Sequence, residues 1–293
     1  MPTQDDTTNF DQLWDYDNPA ATEQRLRELL PRMVAGTPTY LELLTQIARA
    51  QGLQRDFDAA HRTLDTVEHE LANSGERVHI RYLLERGRAF NSARQPALAQ
   101  PLFLAAWQRA RSADEDFYAI DAAHMLAIVE PPEQGLAWNM QALELAERTP
   151  DPRAKKWLGS LCNNIGWIYH DAGQFDQALA MFEKALAYRE AQGSEREARI
   201  ARWCVARTLR SLGRVAEALA IQQALLEANQ RDGATDGYGF EEIAECLLAL
   251  GRPAEAQVYF ARAYAELSRD PWLVDSEPKR LARLKTLGAE PAG

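Results

Sequence analysis

Two histidines, His124 and His170, each stand near an aspartate: Asp121 comes three positions before the first and Asp171 directly follows the second. Imidazoles and carboxylates in that mixture could hold a metal or exchange a proton in acid/base catalysis. Imidazoles of this kind more often hydrogen-bond a ligand or a neighbouring side chain. His61, His69 and His79 read as surface residues. The three cysteines, Cys162, Cys204 and Cys246, contain no C-x-x-C pair and are too few for a disulfide framework or a four-thiolate zinc site. Cys162 and Cys246 fall on apolar stripes as small core residues. Cys204, with Arg202 and Arg207 nearby in the sequence, is the thiol a guanidinium could activate. A Gly-rich phosphate loop, an H-E-x-x-H pair and a G-x-S-x-G elbow are all absent from the sequence. The chemistry-bearing residues therefore point to a protein that is not an enzyme and needs no cofactor or metal. A catalytic site at His124 and His170 stands as the third reading.

The composition narrows the class. At 293 residues, 46% hydrophobic and 26% charged, the chain is that of an ordinary globular protein. Its net charge of -10 repels phosphate backbones, so nucleic acid is not an expected partner. The acidic start lacks the features of a secretory signal, and no run approaches about 18 apolar residues, so neither export nor a membrane is expected and the cytoplasm is. The 28 arginines against 5 lysines point to a GC-rich bacterial genome rather than to a function.

Helices must position these residues, because the apolar spacing is three and four throughout. In the stretch from Asn163 to Glu190, Ile165, Gly166 and Tyr169 share one stripe, Gly173 marks a turn, and Ala178, Phe182 and Ala185 share a second. This is an αα-hairpin, with Gly166 and Ala178 expected where its helices cross and Tyr169 and Phe182 beside them. The pattern returns along the chain. The small residue opening each second helix falls at positions 60, 99, 135, 178, 218 and 256, at intervals of 39, 36, 43, 40 and 38 residues. Pro131 and Pro132 must sit in a turn or first helical position of the third copy.

These positions resemble the tetratricopeptide repeat (TPR) family, whose first helix carries a large residue, Leu-Gly and Tyr, and whose second carries Ala, Phe and Ala. The copy near residue 159 matches best, and intervals near 40 are similar to the bacterial, long-repeat, kinesin-light-chain-like type. The resemblance covers residues 41–272 and implies an all-α, right-handed superhelical solenoid of about six helix pairs. It also implies that the first helix of each pair faces a concave groove. Carried onto this sequence, that rule places Arg49, Arg81, Arg88, Asn91, Asp121, His124, Asn163, Asn164, Trp167, His170, Trp203, Arg207, Arg210 and Tyr238 on the inner wall, followed by an acidic stretch of Glu241, Glu242 and Glu245. Arg and Asn bind carboxylates and amides by directed hydrogen bonds, and Trp offers a rigid apolar face. The paired lysines of the chaperone-binding subgroup are missing from these positions.

The ends read as caps, which a stacked array needs to cover its terminal apolar faces. A capping helix is expected within 18–40, with Leu26, Leu29, Leu30 and Met33 on one face, and another within 273–288, capped by Asp275 or Ser276. Residues 1–17 form an acidic tail or cap in which Asp5, Asp6, Asp11, Asp15 and Asp17 alternate with Phe10, Leu13, Trp14 and Tyr16, and 289–293 form a second tail. The amino tail either occupies the arginine-rich groove or covers the first helices. Function on this reading is a non-catalytic scaffold that binds a protein or peptide with acidic and apolar groups, with self-association open. The alternative is a signal-sensing regulator that binds a small peptide or metabolite in the groove.

Overall fold

The computed structural model describes residues 10–289, so the expectations for Asp5, Asp6 and positions 290–293 lie outside the described residues. The fold is all-α, with no strand among the described residues. The chain divides into two compact units, residues 1–161 and 162–293.

Unit 1 opens with a 3-10 turn, Phe10–Leu13, followed by α1 (Pro19–Arg27) and a second 3-10 turn, Leu30–Arg32. The amino cap is thus a short helix plus a turn, because Pro31 removes a backbone donor just where α1 would continue. Three hairpins follow: α2 (Pro38–Leu53) with α3 (Phe57–Glu70), α4 (Glu76–Ser92) with α5 (Pro96–Ser112), and α6 (Asp116–Val129) with α7 (Pro132–Arg148). The short α8 (Pro152–Lys155) comes next, and α9 (Leu158–Asp171) carries the chain into unit 2. The remaining hairpin partners are α10 (Phe175–Ala191), α11 (Glu195–Ser211) with α12 (Val215–Arg231), and α13 (Gly237–Ala249) with α14 (Pro253–Leu267). Two helices close the chain, α15 (Pro271–Ser276) and α16 (Pro278–Gly288). Asp275 and Ser276 do not cap the final helix: they lie inside α15, which the Asp270 side chain caps on the Trp272 N–H, and α16 starts after Glu277 with no side-chain cap hydrogen bond.

Local chemistry sets the helix starts. Proline, with its fixed φ and no donor to waste, stands in the first turn of α1, α2, α5, α7, α8, α14, α15 and α16. Asn18, Asp56 and Asp236 accept hydrogen bonds from first-turn N–H groups of α1, α3 and α13. In unit 2 the turns between helices use Gly173, Gly193, Gly213, Gly233 and Gly251 at φ between 69 and 79°. Unit 1 places Arg55, Arg94 and Asp114 in the same left-handed region.

The core is a ladder of hairpin contacts. Phe103, Phe182 and Phe260 are almost wholly buried on second helices, and Ala60, Ala99, Ala178, Ala218 and Ala256 beside them are 0–1% exposed. One detail departs from the sequence expectation. Gly166 meets the Phe182 ring itself, since a Cβ there would lie 2.6 Å from Cε1, and Gly87 meets Phe103 in the same way at 2.5 Å. The aromatic ring fills the crossing, and glycine is what admits it. At the carboxy end Leu281 and Leu284 of α16 join the unit 2 core with Phe260. No helix among the described residues is long and apolar enough to cross a membrane.

Candidate functional site

Each unit holds a cavity against its first helices. In unit 2 a cavity of about 750 Å³ is walled by Trp167 of α9, Ile200 and Trp203 of α11, Leu225 of α12 and Tyr238 of α13. The indole of Trp203 stands 6.2 Å from that of Trp167 and 6.4 Å from the Tyr238 ring. Ile200 is 53% exposed and Tyr238 39% exposed, so large apolar surface is held open beside a cavity rather than packed away. The rim is polar. Arg199 reaches Asp232 at 2.6 Å and Glu195 at 3.2 Å, Arg196 makes no ion pair among the described residues, and Asp236 caps α13.

Asn163 and Cys204 complete this wall. The Cys204 thiol donates to Asn163 Oδ1 at 3.6 Å, and burial pushes its pKa up to about 12. The activation considered for it does not occur, because Arg202 is turned to Glu190 and Glu195 while Arg207 is held by Glu242. Burial likewise lifts Cys246 to about 12.

The unit 1 cavity, about 600 Å³, is more polar. Trp14 and Tyr16 from the amino segment form one side, and Phe117 and Tyr118 of α6 with Trp157 form another. Arg49, Arg81, Glu85 and Asp121 come from α2, α4 and α6, and Arg153 and Lys156 from α8 and its end. Asp121 is buried against Arg88, whose charge holds the carboxyl below its ordinary pKa despite burial.

The inner-wall residues therefore separate into three groups. Asn163, Trp167, Trp203 and Tyr238 line the unit 2 cavity, and Arg49, Arg81 and Asp121 line that of unit 1. Arg88, Asn91, His124, Asn164, His170, Arg207 and Arg210 line neither. Most of that last group hold the helices to one another. Arg88 pairs with Glu85 and Asp121, while Arg207 and Arg210 share Glu242 at 3.0 and 2.8 Å. His170 Nε2 lies 3.1 Å from Ser211 Oγ, and its ring packs on Trp167 and Phe175. The His124 ring packs on Trp157. Burial lowers both imidazole pKa values below the ordinary 6.5. Asn91 and Asn164 are half-buried on α4 and α9. Among the described residues no group of three or more His, Cys, Asp or Glu could hold a metal ion.

The acidic stretch on α13 is also internally spent. Arg280 of α16 forks onto Glu241 at 2.5 to 3.1 Å, Arg283 pairs with Glu245, and Glu242 belongs to the α11 arginines. Arg196, Arg199 and Ile200 were missed by the sequence reading, although the stripe through Trp203, Arg207 and Arg210 reaches them when run back by three and four. Arg153, Lys156 and Trp157 were missed as well. Their signal is the 43-residue interval between positions 135 and 178, which leaves room for α8.

A search of curated proteins finds no match to the sequence. Two family models match, one described as tetratricopeptide repeat over residues 119–191 and the other as tetratrico peptide repeat over 166–269. Among solved structures the chain is similar to the apo form of RapI, with a TM-score of 0.72 and 10% identity, covering 96% of this chain and 77% of that one. It is similar to the Signal Transduction ATPase with Numerous Domains protein PH0952 from Pyrococcus horikoshii, which has a tetratricopeptide repeat sensor. That match has a TM-score of 0.71 and 15% identity and covers 92% of this chain and 42% of that one, so the chain spans less than half the length of that protein. NprR in complex with its cognate peptide NprX follows at a TM-score of 0.52 and 16% identity, covering 98% and 84%. Identities this low speak for the fold alone. Together the two tetratricopeptide repeat models match residues 119–269, and the fold of the chain is similar to that of tetratricopeptide repeat structures.

Proposed function

We propose that the chain is a non-catalytic peptide-binding module whose principal site is the unit 2 cavity. One observation carries this reading: Trp167, Trp203 and Tyr238, drawn from three successive first helices, converge with Ile200 on about 750 Å³ of largely apolar space. Such a space takes a large apolar side chain, while charges of both signs at the rim and the Asn163 amide suit the polar backbone on either side of it. The peptide complex of NprR supports the reading by analogy of fold. A sensor role for the same site is the second reading, favoured by the likeness to a protein whose repeats are described as a sensor. On either reading the helix pairs, near 40 residues each, are of the longer kinesin-light-chain-like type, and the setting is the cytoplasm of a bacterium.

The test is to pan a random-peptide display library against the chain, with Ile200→Glu as a parallel bait. Ile200 is exposed, so the variant keeps the fold while placing a charge at the apolar wall. Enriched peptides should carry a large apolar residue and bind the parent at least roughly tenfold more tightly. Failure to enrich any peptide, or equal binding to both baits, contradicts the proposal.

A further inference from the structure

The cations around the unit 1 cavity are of two kinds. Arg81 and Arg88 are committed: Arg81 donates to Glu42 at 3.1 Å and to the Tyr118 hydroxyl at 2.9 Å, and Arg88 pairs with Glu85 and Asp121. Arg49 and Arg153 are held instead by aromatic faces. The Arg49 guanidinium lies 5.3 Å from the Trp14 ring and 5.7 Å from Tyr16, and that of Arg153 lies 4.8 Å from Phe117 and 5.9 Å from Tyr118. Their carboxylate contacts are long, 3.6 Å to Glu85 and 3.4 Å to Asp151. A cation–π contact of this kind uses no N–H donor on a carboxylate, so donors of both guanidiniums stay available to an anion. Lys156 is exposed and has no carboxylate partner among the described residues.

The aromatic side formed by Trp14 and Tyr16 is a fixed part of the fold. Phe10 is 2% exposed in the core, Trp14 Nε1 donates to Gln46 Oε1 at 3.1 Å, and the Asp15 N–H donates to Thr22 Oγ1 at 3.0 Å. The two rings stack 5.1 Å apart and present one surface. Cationic edges with spare donors thus surround a space bordered by rings on both sides. We infer that the unit 1 cavity is a second binding site, for a carboxylate set next to an aromatic ring, as an acidic-aromatic peptide segment supplies. The site shares no residue with the cavity of unit 2, so it stands or falls separately from the function proposed there. A long phosphate polyanion is disfavoured as occupant by the net charge of -10.

The test is calorimetric titration of the full chain with N-acetyl-Glu-Tyr-amide, its neutral analogue N-acetyl-Gln-Tyr-amide, and glutarate. The glutamate dipeptide should bind roughly tenfold or more tightly than the other two and weaken as salt rises. Arg153→Gln/Lys156→Gln should lose roughly tenfold of that affinity with an unchanged melting temperature. Equal affinity for the glutamine analogue overturns the carboxylate, and equal affinity for glutarate overturns the aromatic half. No binding at millimolar concentration, or full affinity in the Arg153/Lys156 double variant, overturns the site.

Discussion

A methyl group added at Gly166 would lie 2.6 Å from the Phe182 ring, which is wholly buried and has no free direction in which to move. Gly166→Ala should therefore cost about 1–3 kcal/mol, read from the urea midpoint, and a neutral result would mean that the crossing is looser than drawn. The opposite sign is expected at Arg94, where a side chain occupies a φ of 62° that disfavours any Cβ. Arg94→Gly should stabilise the chain by about 0.5–1 kcal/mol, or else the strain is relieved elsewhere. Histidines give a pH dependence. Burial holds His61, His124 and His170 below 6.5 in the folded chain, so the unfolded chain binds protons first as acid is added. Their contribution is complete above about pH 6.5 and falls as pH drops below it toward the lowered folded values. The urea midpoint should fall between about pH 7.5 and 5.5, and His124→Gln should flatten that slope. A midpoint that rises over this window contradicts the burial argument. Gly166 was legible in sequence as a small residue at a crossing. That it faces Phe182 was not, because period alone fixes a stripe and leaves open which rung of the partner helix it meets.

At the scale of the helix, the same gap explains the arginines. On one helix at a time, Arg81, Arg88, Arg207 and Arg210 read as receptors for an acidic ligand, and Glu241, Glu242 and Glu245 as an acidic patch. Across helices they answer one another: Arg81 with Glu42, Arg88 with Asp121, Arg210 with Glu242, Arg280 with Glu241. The partners stand 39, 33, 32 and 39 residues apart, close to one repeat, so the signal lay in comparing successive helices. Glu242 shows what this does for stability, since its nearly buried carboxylate balances both Arg207 and Arg210. Glu242→Gln should cost on the order of 2 kcal/mol by leaving those guanidiniums uncompensated. If thermal melting shows no loss, the network is only surface decoration. The helix spans themselves were largely legible, because proline and aspartate at their starts and glycine at many of their ends act locally. The first turns of α11 and the short α8 were not, and they supply Ile200, Arg196, Arg153 and Lys156 to the two cavities.

For the whole molecule, the tetratricopeptide pattern decides how apolar stripes pack and says little of what is bound, since the residues that define it are buried ones. On the function proposed here, binding rests on what the first helices leave over once their charges are paired. In unit 2 that remainder is apolar space around Trp203, and in unit 1 it is ring-held cations. If the proposed function holds, the unit 2 cavity receives the ligand. Amide hydrogen exchange of the full chain, with and without a peptide enriched from the display library, tests it most directly. Slowed exchange should concentrate in the first turns of α11 and in residues 232–238, the segments that bring Ile200, Trp203 and Tyr238 together. Protection confined to other helices, with these two segments unchanged, would contradict it.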